Sequence, residues 1–215
     1  MDEIKDKILK TGTTTVGIKC KDGVVLAGDM QVTQGMMLVG DKDFEKVIPI
    51  NDYHAVTIAG SVSDVQLILK LIKAQVKLEE LRRGKKLGSK EIANLLGGLN
   101  YNAIRSYSTI PSIAGFLMAG YDGAFHLYEI EPAGAIIEEK RYKADGSGLM
   151  MAYGVLEANY KDGMSLDEGV KLAVKAINAA IQRDTSTGYG INVFTVTEKG
   201  VKKVLSKEID MTIKA

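Results

Sequence analysis

Thr11-Gly12-Thr13-Thr14-Thr15-Val16-Gly17-Ile18-Lys19-Cys20, then Lys21-Asp22-Gly23, then Val24-Val25-Leu26-Ala27 is the stretch that decides how this chain folds. Its first part is β-branched and roughly alternating, and its last part is continuously apolar. The Asp-Gly pair between them is a short-range hairpin signal, so two adjacent antiparallel strands are expected. Upstream lies a charged leader, Met1 to Lys10, with three acids and three lysines. It lacks the uninterrupted apolar core of a secretory signal.

Downstream, a second strand pair is expected over Met36 to Val39 and Lys46 to Ile50, and an apolar run from His54 to Ala59 ends at Gly60. Helical periodicity then takes over. Val65, Ile68, Leu69, Ile72 and Val76 share one face behind a capping box of Ser61 and Asp64, and Gly84 ends the helix. A second helix follows Ser89, with Ile92, Leu95, Leu96 and Leu99 on one face and Gly97-Gly98 in its interior. Strands return at Phe116 to Ala119, Ala124 to Ile130 and Gly134 to Arg141. Helices return at Leu149 to Tyr160 and Leu166 to Arg183. The latter opens on the S-x-x-E box of Ser165 and Glu168 and buries Val170, Ala173, Val174, Ile177, Ala180 and Ile181. A hairpin closes the chain, Ile191 to Thr197 and Val201 to Leu205. Grouped strands with paired helices argue against alternating βαβ winding and for two sheet layers flanked by helices in one domain.

Composition narrows the function classes. The 215 residues are 46% apolar and 26% charged, as in an average globular chain. With 28 basic and 27 acidic residues the net charge is +1, so no strong field points to nucleic acid or an anionic membrane. The longest apolar stretch, Ile113 to Ala119, is far short of the ~20 residues that span a bilayer. A single cysteine, Cys20, excludes an internal disulfide and suits a reducing, cytoplasmic compartment.

Several catalytic arrangements are missing as well. The two histidines, His54 and His126, both fall in strand-like runs and read as structural rather than as triad members or metal ligands. Cys20 sits mid-strand and reads as buried and apolar. Gly146-Ser147-Gly148 lacks the third glycine of a dinucleotide loop, no phosphate-loop motif occurs, and Arg82-Arg83-Gly84-Lys85-Lys86 reads as a solvated loop.

Composition alone would make Thr13-Thr14-Thr15 a plain β-strand. Its position after a charged leader, with Gly12 before it, suggests instead a processing point. Cleavage of Gly12–Thr13 would put a hydroxyl and a free α-amine on one residue. An α-amine, with a reference pKa of about 8, is a competent base for that hydroxyl, directly or through one water. A nearby lysine would lower the amine's pKa by like-charge repulsion, and a carboxylate would hold the lysine. Backbone N–H donors would complete the set.

The chain resembles a proteasome β subunit of the archaeal type, within the N-terminal-nucleophile hydrolases. The resemblance runs from Thr11 to about Val204. It rests on Thr-Gly-Thr-Thr-Thr-Val-Gly-Ile at 11–18, Asp29 after Val24-Val25-Leu26-Ala27-Gly28, and Lys46-Val47 before an Ile-x-Ile run. It continues with Thr57-Ile58-Ala59-Gly60-Ser61-Val62-Ser63-Asp64, Gly146-Ser147-Gly148 before Ala152-Tyr153-Gly154-Val155-Leu156-Glu157, and Arg183-Asp184 after a helix. It implies an α+β fold, a four-layer αββα sandwich of two antiparallel sheets flanked by helices. Residues 1–12 would be a propeptide and 13–215 one hydrolase domain.

The roles it implies are those of a threonine endopeptidase. Thr13 would be the nucleophile and its amine the base, with Lys46 tuning the amine or shuttling the proton and Asp29 pairing with Lys46. The Gly60 N–H would serve the oxyanion, and Ser147 and Asp184 would hold the N-terminus and a water. Thr187 stands where the family usually has Ser, and Gln31 where archaeal members usually have Arg. The run Gly28-Asp29-Met30-Gln31-Val32-Thr33 is closer to the bacterial HslV protease, and one extra residue between Val32 and Val39 brings Lys46 rather than Lys42 into register.

By the same resemblance Val32, Ile48, Ile58 and Val62 would line the pocket for the side chain before the scissile bond. Their aliphatic character predicts cleavage after large apolar residues. Implied partners are sister β subunits in heptameric rings, α-subunit rings, an unfolding ATPase and unfolded polypeptide substrates. Neither metal nor organic cofactor is called for. A structural ring subunit that never processes itself, and an HslV-type peptidase in hexameric rings, are the alternatives.

Overall fold

A computed structural model describes residues 12–34 and 38–210. The charged leader and Met36, part of an expected strand, lie outside them. The opening hairpin forms as the sequence predicts: β1 (Thr14–Cys20) and β2 (Gly23–Asp29) pair antiparallel, with Cys20 opposite Gly23 across the turn. Alternation along β1 sends Val16, Ile18 and Cys20 to one face. Gly17 faces the other way, where an added Cβ would lie 2.7 Å from Leu127 Cδ1.

The next strands are short: β3 (Val32–Gln34), β4 (Leu38–Asp41), β5 (Val47–Asn51), β6 (His54–Thr57) and β7 (Ala59–Gly60). Here the expected pairing is corrected. β4 pairs with β3, and β5 pairs with β6, so Val39 and Lys46 do not belong to one hairpin. Helices α1 (Val62–Arg83) and α2 (Ser89–Arg105) follow, then β8 (Ala114–Tyr121), β9 (Phe125–Ile130), β10 (Ile136–Glu138) and β11 (Tyr142–Gly146). Helices α3 (Leu149–Asn159) and α4 (Leu166–Ile181) precede β12 (Gly190–Thr197) and β13 (Gly200–Glu208).

Two antiparallel sheets result. One runs β11-β1-β2-β12-β13, the other β10-β9-β8-β6-β5 with β7 attached to β8. Leu26, Val47, Leu117, Leu127 and Phe194 pack between them. On the far side of the second sheet Val56, Phe116 and Ile130 pack with Ile72, Ile92 and Leu96 of α1 and α2. On the far side of the first, Val16, Ile18 and Val193 pack with Leu156, Ala173 and Ile177 of α3 and α4. This is the α+β, four-layer αββα sandwich. Each large apolar side chain that leaves water in these layers contributes about 1.5–3 kcal/mol.

Local signals hold in most places. The Ser165 hydroxyl accepts the Glu168 N–H, and Glu168 Oε2 accepts the Ser165 N–H at 2.8 Å, so that capping box is formed. The expected box at Ser61 is not. Asp64 Oδ2 accepts the N–H of Ile113 at 3.1 Å instead, tying the start of α1 to β8. Helix α2 runs through Gly97-Gly98 because Gly97 lies against β10, where a Cβ would meet Ile136 Cδ1 at 2.6 Å. The buried stripe of α4 is Leu172, Ala173, Ala176, Ile177 and Ala180, with Val170, Val174 and Ile181 at its margin. No helix among the described residues is long and apolar enough to cross a membrane.

Candidate active site

The site forms where the ends of several strands converge. Thr13 stands just before β1, Asp29 ends β2, Lys46 precedes β5, Gly60 ends β7, Ser147 follows β11, and Asp184 and Thr187 lie between α4 and β12. Residues scattered over 175 positions of sequence thus meet in one place.

Asp29 is fully buried and saturated with donors. Its Oδ1 accepts Lys46 Nζ at 2.7 Å and the Thr14 N–H at 2.9 Å. Its Oδ2 accepts the N–H groups of Gln31 at 3.0 Å and Gly188 at 3.1 Å. The opposing Lys46 is equally buried, and burial pulls its ammonium pKa below the usual lysine value although Asp29 pulls the other way. Its backbone is fixed by the Ile58 N–H donating to the Lys46 carbonyl at 3.0 Å. Lys46 Nζ also stands 3.5 Å from the carbonyl oxygen of Gly12, the residue joined to Thr13.

A second set of groups leads away from Thr13 N. That N–H donates to Ser147 Oγ at 3.1 Å, and Ser147 Oγ donates to Asp184 Oδ2 at 2.5 Å. The same carboxylate oxygen accepts Thr187 Oγ1 at 2.5 Å. Since Thr187 spends its single proton there, its 2.7 Å contact with Thr14 Oγ1 must have Thr14 as donor. The relay is Thr13 N–H to Ser147 to Asp184, met from the other side by Thr14 and Thr187.

Glycines allow the close approaches. Gly146 has φ +95°, and a Cβ there would lie 2.0 Å from the Thr13 carbonyl oxygen, so the Gly-Ser-Gly turn can lie directly on Thr13. Gly60 has φ +119°, with Ile113 O 2.2 Å from where its Cβ would be. Gly12 is pressed against Ser186, whose Cβ would stand 1.8 Å from a Cβ on residue 12.

A cavity of about 30 Å³ opens beside Thr13, lined by Gly12, Lys46, Gly60, Val32, Ile58 and Val62, with Phe44, Val65, Thr33 and Ala59 completing the wall. Ile48 is not among these residues; it packs at the edge of the core under α1. Phe44 and Val65 escaped the sequence reading. Val65 belonged to the helical stripe, and nothing marked Phe44. Thr14, Gln31 and Ser186 also reach the site; Thr14 and Gln31 lie in motifs quoted above but carried no assigned role, and Ser186 had no signal of its own.

Other candidates resolve as structural. His54 is held between Asn51 Oδ1 at 3.0 Å and Ser89 Oγ at 2.9 Å, and burial pushes its pKa down to about 4. His126 lies between Glu138 and Asp122. Cys20 is buried, with its thiol pushed up to about 12 by burial, so no thiolate is available near neutrality. Arg82, Arg83 and Lys86 are engaged with Glu79, Glu80 and Glu91. Among the described residues no cluster of three or more His, Cys, Asp or Glu could hold a metal ion.

Fold and site together define a layered α+β protein with a threonine at the mouth of a buried lysine–carboxylate pair. The family model described as "Proteasome subunit" matches residues 9–196. "Proteasome subunit beta" of Methanopyrus kandleri is 41% identical over 94% of this chain and 95% of its own length. "Proteasome subunit beta 1" of Thermococcus onnurineus is 43% identical over 94% and 97%. "Proteasome subunit beta" of Haloferax volcanii is 45% identical over 93% and 79%. The chain belongs to the proteasome subunit family, and that membership implies assembly with other subunits into a proteasome core.

Proposed function

We propose that this chain is a catalytic β subunit, a threonine endopeptidase that frees its own nucleophile by cutting Gly12–Thr13. The observation that carries the reading is the buried Lys46 ammonium held between Asp29 Oδ1 and the carbonyl oxygen of Gly12. Placed there, it polarises the bond that has to break. Residues 1–12 are then a propeptide, and 13–215 the hydrolase domain.

In processing, Thr13 Oγ1 attacks the Gly12 carbonyl carbon, and its proton passes to the departing Thr13 nitrogen. Water hydrolyses the resulting ester, leaving the α-amine free. In turnover that amine takes the hydroxyl proton as Thr13 attacks a peptide carbonyl, then returns it to the leaving amine; it next activates a water that hydrolyses the acyl ester, releasing the carboxylic acid product and restoring the Thr13 hydroxyl. Lys46, held as a cation by Asp29, disfavours a second positive charge nearby and so lowers the pKa of the amine. The Gly60 N–H serves the oxyanion, where one such donor is worth about 10²–10³ in rate. Ser147 and Asp184 orient the amine, and Thr187 braces Asp184.

Val32, Ile58, Val62, Phe44 and Val65 give the neighbouring cavity an apolar lining, which supports cleavage after large apolar residues. Sister β subunits in heptameric rings, α-subunit rings and an unfolding ATPase in the cytoplasm complete the setting. The near full-length match to proteasome β subunits favours this over an HslV-type peptidase, and the intact lysine–carboxylate pair favours it over a structural ring subunit.

Intact mass of the purified assembly, before and after a threonine-directed β-lactone, tests the reading. A chain starting at Thr13 that gains one inhibitor mass is the expected result. Precursor mass with no adduct after co-assembly with α subunits would favour the structural subunit.

A further inference from the structure

Gln31 is buried, 4% exposed, and does not line the cavity beside Thr13. Its backbone N–H is one of the four donors that hold Asp29. Its side chain spends both amide protons locally: Nε2 donates to Thr33 Oγ1 at 3.0 Å and to the Thr185 carbonyl at 3.1 Å. Thr33 Oγ1, having accepted from Gln31, donates to the Ser186 carbonyl at 3.4 Å. The amide and its relay therefore grip two consecutive carbonyls of the segment between α4 and β12. Backbone contacts reinforce the seam, with Met30 N donating to Gly188 O at 3.2 Å and Gly188 N to Asp29 Oδ2 at 3.1 Å.

That segment carries half of the site. Asp184 and Thr187 belong to the relay that reaches Thr13 N, and Gly188 N holds one oxygen of Asp29. Thr14 already joins the two halves, its N–H donating to Asp29 Oδ1 and its hydroxyl meeting Thr187; Gln31 and Thr33 add a second tie, to the backbone between Asp184 and Thr187. The fit also selects a neutral amide. Its oxygen lies where Gly188 comes close, since a Cβ there would stand 2.5 Å from Gln31 Oε1, while its nitrogen faces two oxygens. A carboxylate would put an acceptor against the Thr185 carbonyl and a second negative charge beside Asp29.

We propose that Gln31 is a positioning residue for the reaction: through Thr33 it clamps the Thr185 and Ser186 carbonyls and so sets the Asp184 relay against the Asp29–Lys46 pair. The inference rests on Thr13 being the nucleophile. It makes Gln31 act on the chemical step more than on substrate binding, because its side chain does not touch Thr13 and meets the cavity wall only at the Thr33 hydroxyl.

The test uses assembled particles containing wild-type, Gln31→Met, Gln31→Glu, Thr33→Val or Thr33→Ser chains. Rates on an apolar fluorogenic peptide are divided by the number of sites that a threonine-directed β-lactone titrates. Gln31→Met leaves a buried carbonyl without its donor, so kcat per titrated site falls about tenfold with KM within about twofold. Gln31→Glu falls further, about a hundredfold. Thr33→Val lowers kcat in the same direction, Thr33→Ser restores it, and the double variant Gln31→Met/Thr33→Val loses less than the product of the single losses. Wild-type kcat in Gln31→Met, a loss confined to KM, or a loss explained wholly by fewer titratable sites overturns the proposal. So do independent effects of the two positions. Wild-type particles that cleave peptide but take up no β-lactone sink the threonine reading itself, a failure visible before any Gln31 variant is made.

Discussion

Lys46 Nζ stands 2.7 Å from Asp29 Oδ1 with both side chains shut away from solvent, 3% and 0% exposed. Removing the ammonium would strand a buried carboxylate. Lys46→Met is therefore expected to cost about 3–5 kcal/mol of stability, and Lys46→Met/Asp29→Asn to recover part of it. Both variants should remain as uncut precursor without peptidase activity. Denaturant unfolding and intact mass read the two effects separately. A single variant as stable as wild type would show that the pair is not buried in solution.

Gly12 leaves no room for a side chain. A Cβ would meet Ser186 Cβ at 1.8 Å and the Ser186 carbonyl oxygen at 2.8 Å. Gly12→Ala should process its precursor at a rate at least tenfold below wild type, because displacing residue 12 moves its carbonyl carbon away from Thr13 Oγ1 by a fraction of an ångström. Gly12→Ala/Ser186→Gly should regain part of the rate by removing the harder of the two clashes. Time courses of precursor mass decide it, and equal rates in all three chains would contradict the geometry.

The Thr187 hydroxyl makes two contacts, to Asp184 Oδ2 and to Thr14 Oγ1. Thr187→Ser should therefore retain activity within about threefold. Thr187→Val keeps the shape but leaves the Thr14 hydroxyl and one side of Asp184 unpaired, at a cost of about 1–3 kcal/mol. A drop in kcat of about tenfold or more per titrated site is the expected reading, and equal activity of the two variants would exclude the relay.

His54 makes stability depend on acid. Its folded pKa is about 4 against an ordinary value of 6.5, because burial disfavours the imidazolium. Between those values the unfolded chain binds a proton that the folded chain does not. Stability is thus fully present above pH 6.5 and is lost as pH falls toward 4, by up to about 1.4 kcal/mol per pH unit. Melting temperatures of wild type and His54→Gln, followed from pH 7 to pH 4, should converge on acidification. Parallel curves would show that His54 titrates normally.

Much of the fold was legible because neighbouring residues carry it. The Asp-Gly turn after Cys20, the stripe from Val65 to Val76, and the Ser165–Glu168 box are short-range patterns whose energetics are settled within a turn or two. Legibility failed where partners are distant. Val39 and Lys46 look like two sides of a hairpin, yet β4 turns back on β3 while β5 takes β6, since burying Val47 and Ile50 against the core outweighs local pairing. Asp64 has the spacing of a cap but serves Ile113, because an amide at the start of β8 needs an acceptor that only α1 brings near.

The candidate site divides the same way. Sequence alone determined that a Gly-Thr junction opens the first core strand, that acid, lysine and serine lie at spacings resembling a known family, and that His54, His126 and Cys20 fall in strand-like runs without a catalytic signature. Tertiary structure alone decided which atoms meet. Lys46 lies against Asp29 and the Gly12 carbonyl because Gly28 leaves it space, a Cβ there falling 3.1 Å from Lys46 Cβ. It likewise decided that Ile48 leaves the cavity to Phe44, and that Gln31 and Thr33 reach across to residues 185 and 186. The Gln31 and Thr33 contacts join positions more than a hundred and fifty residues apart, and their strength comes from the exclusion of water by packed layers, which no local stretch of chain can supply.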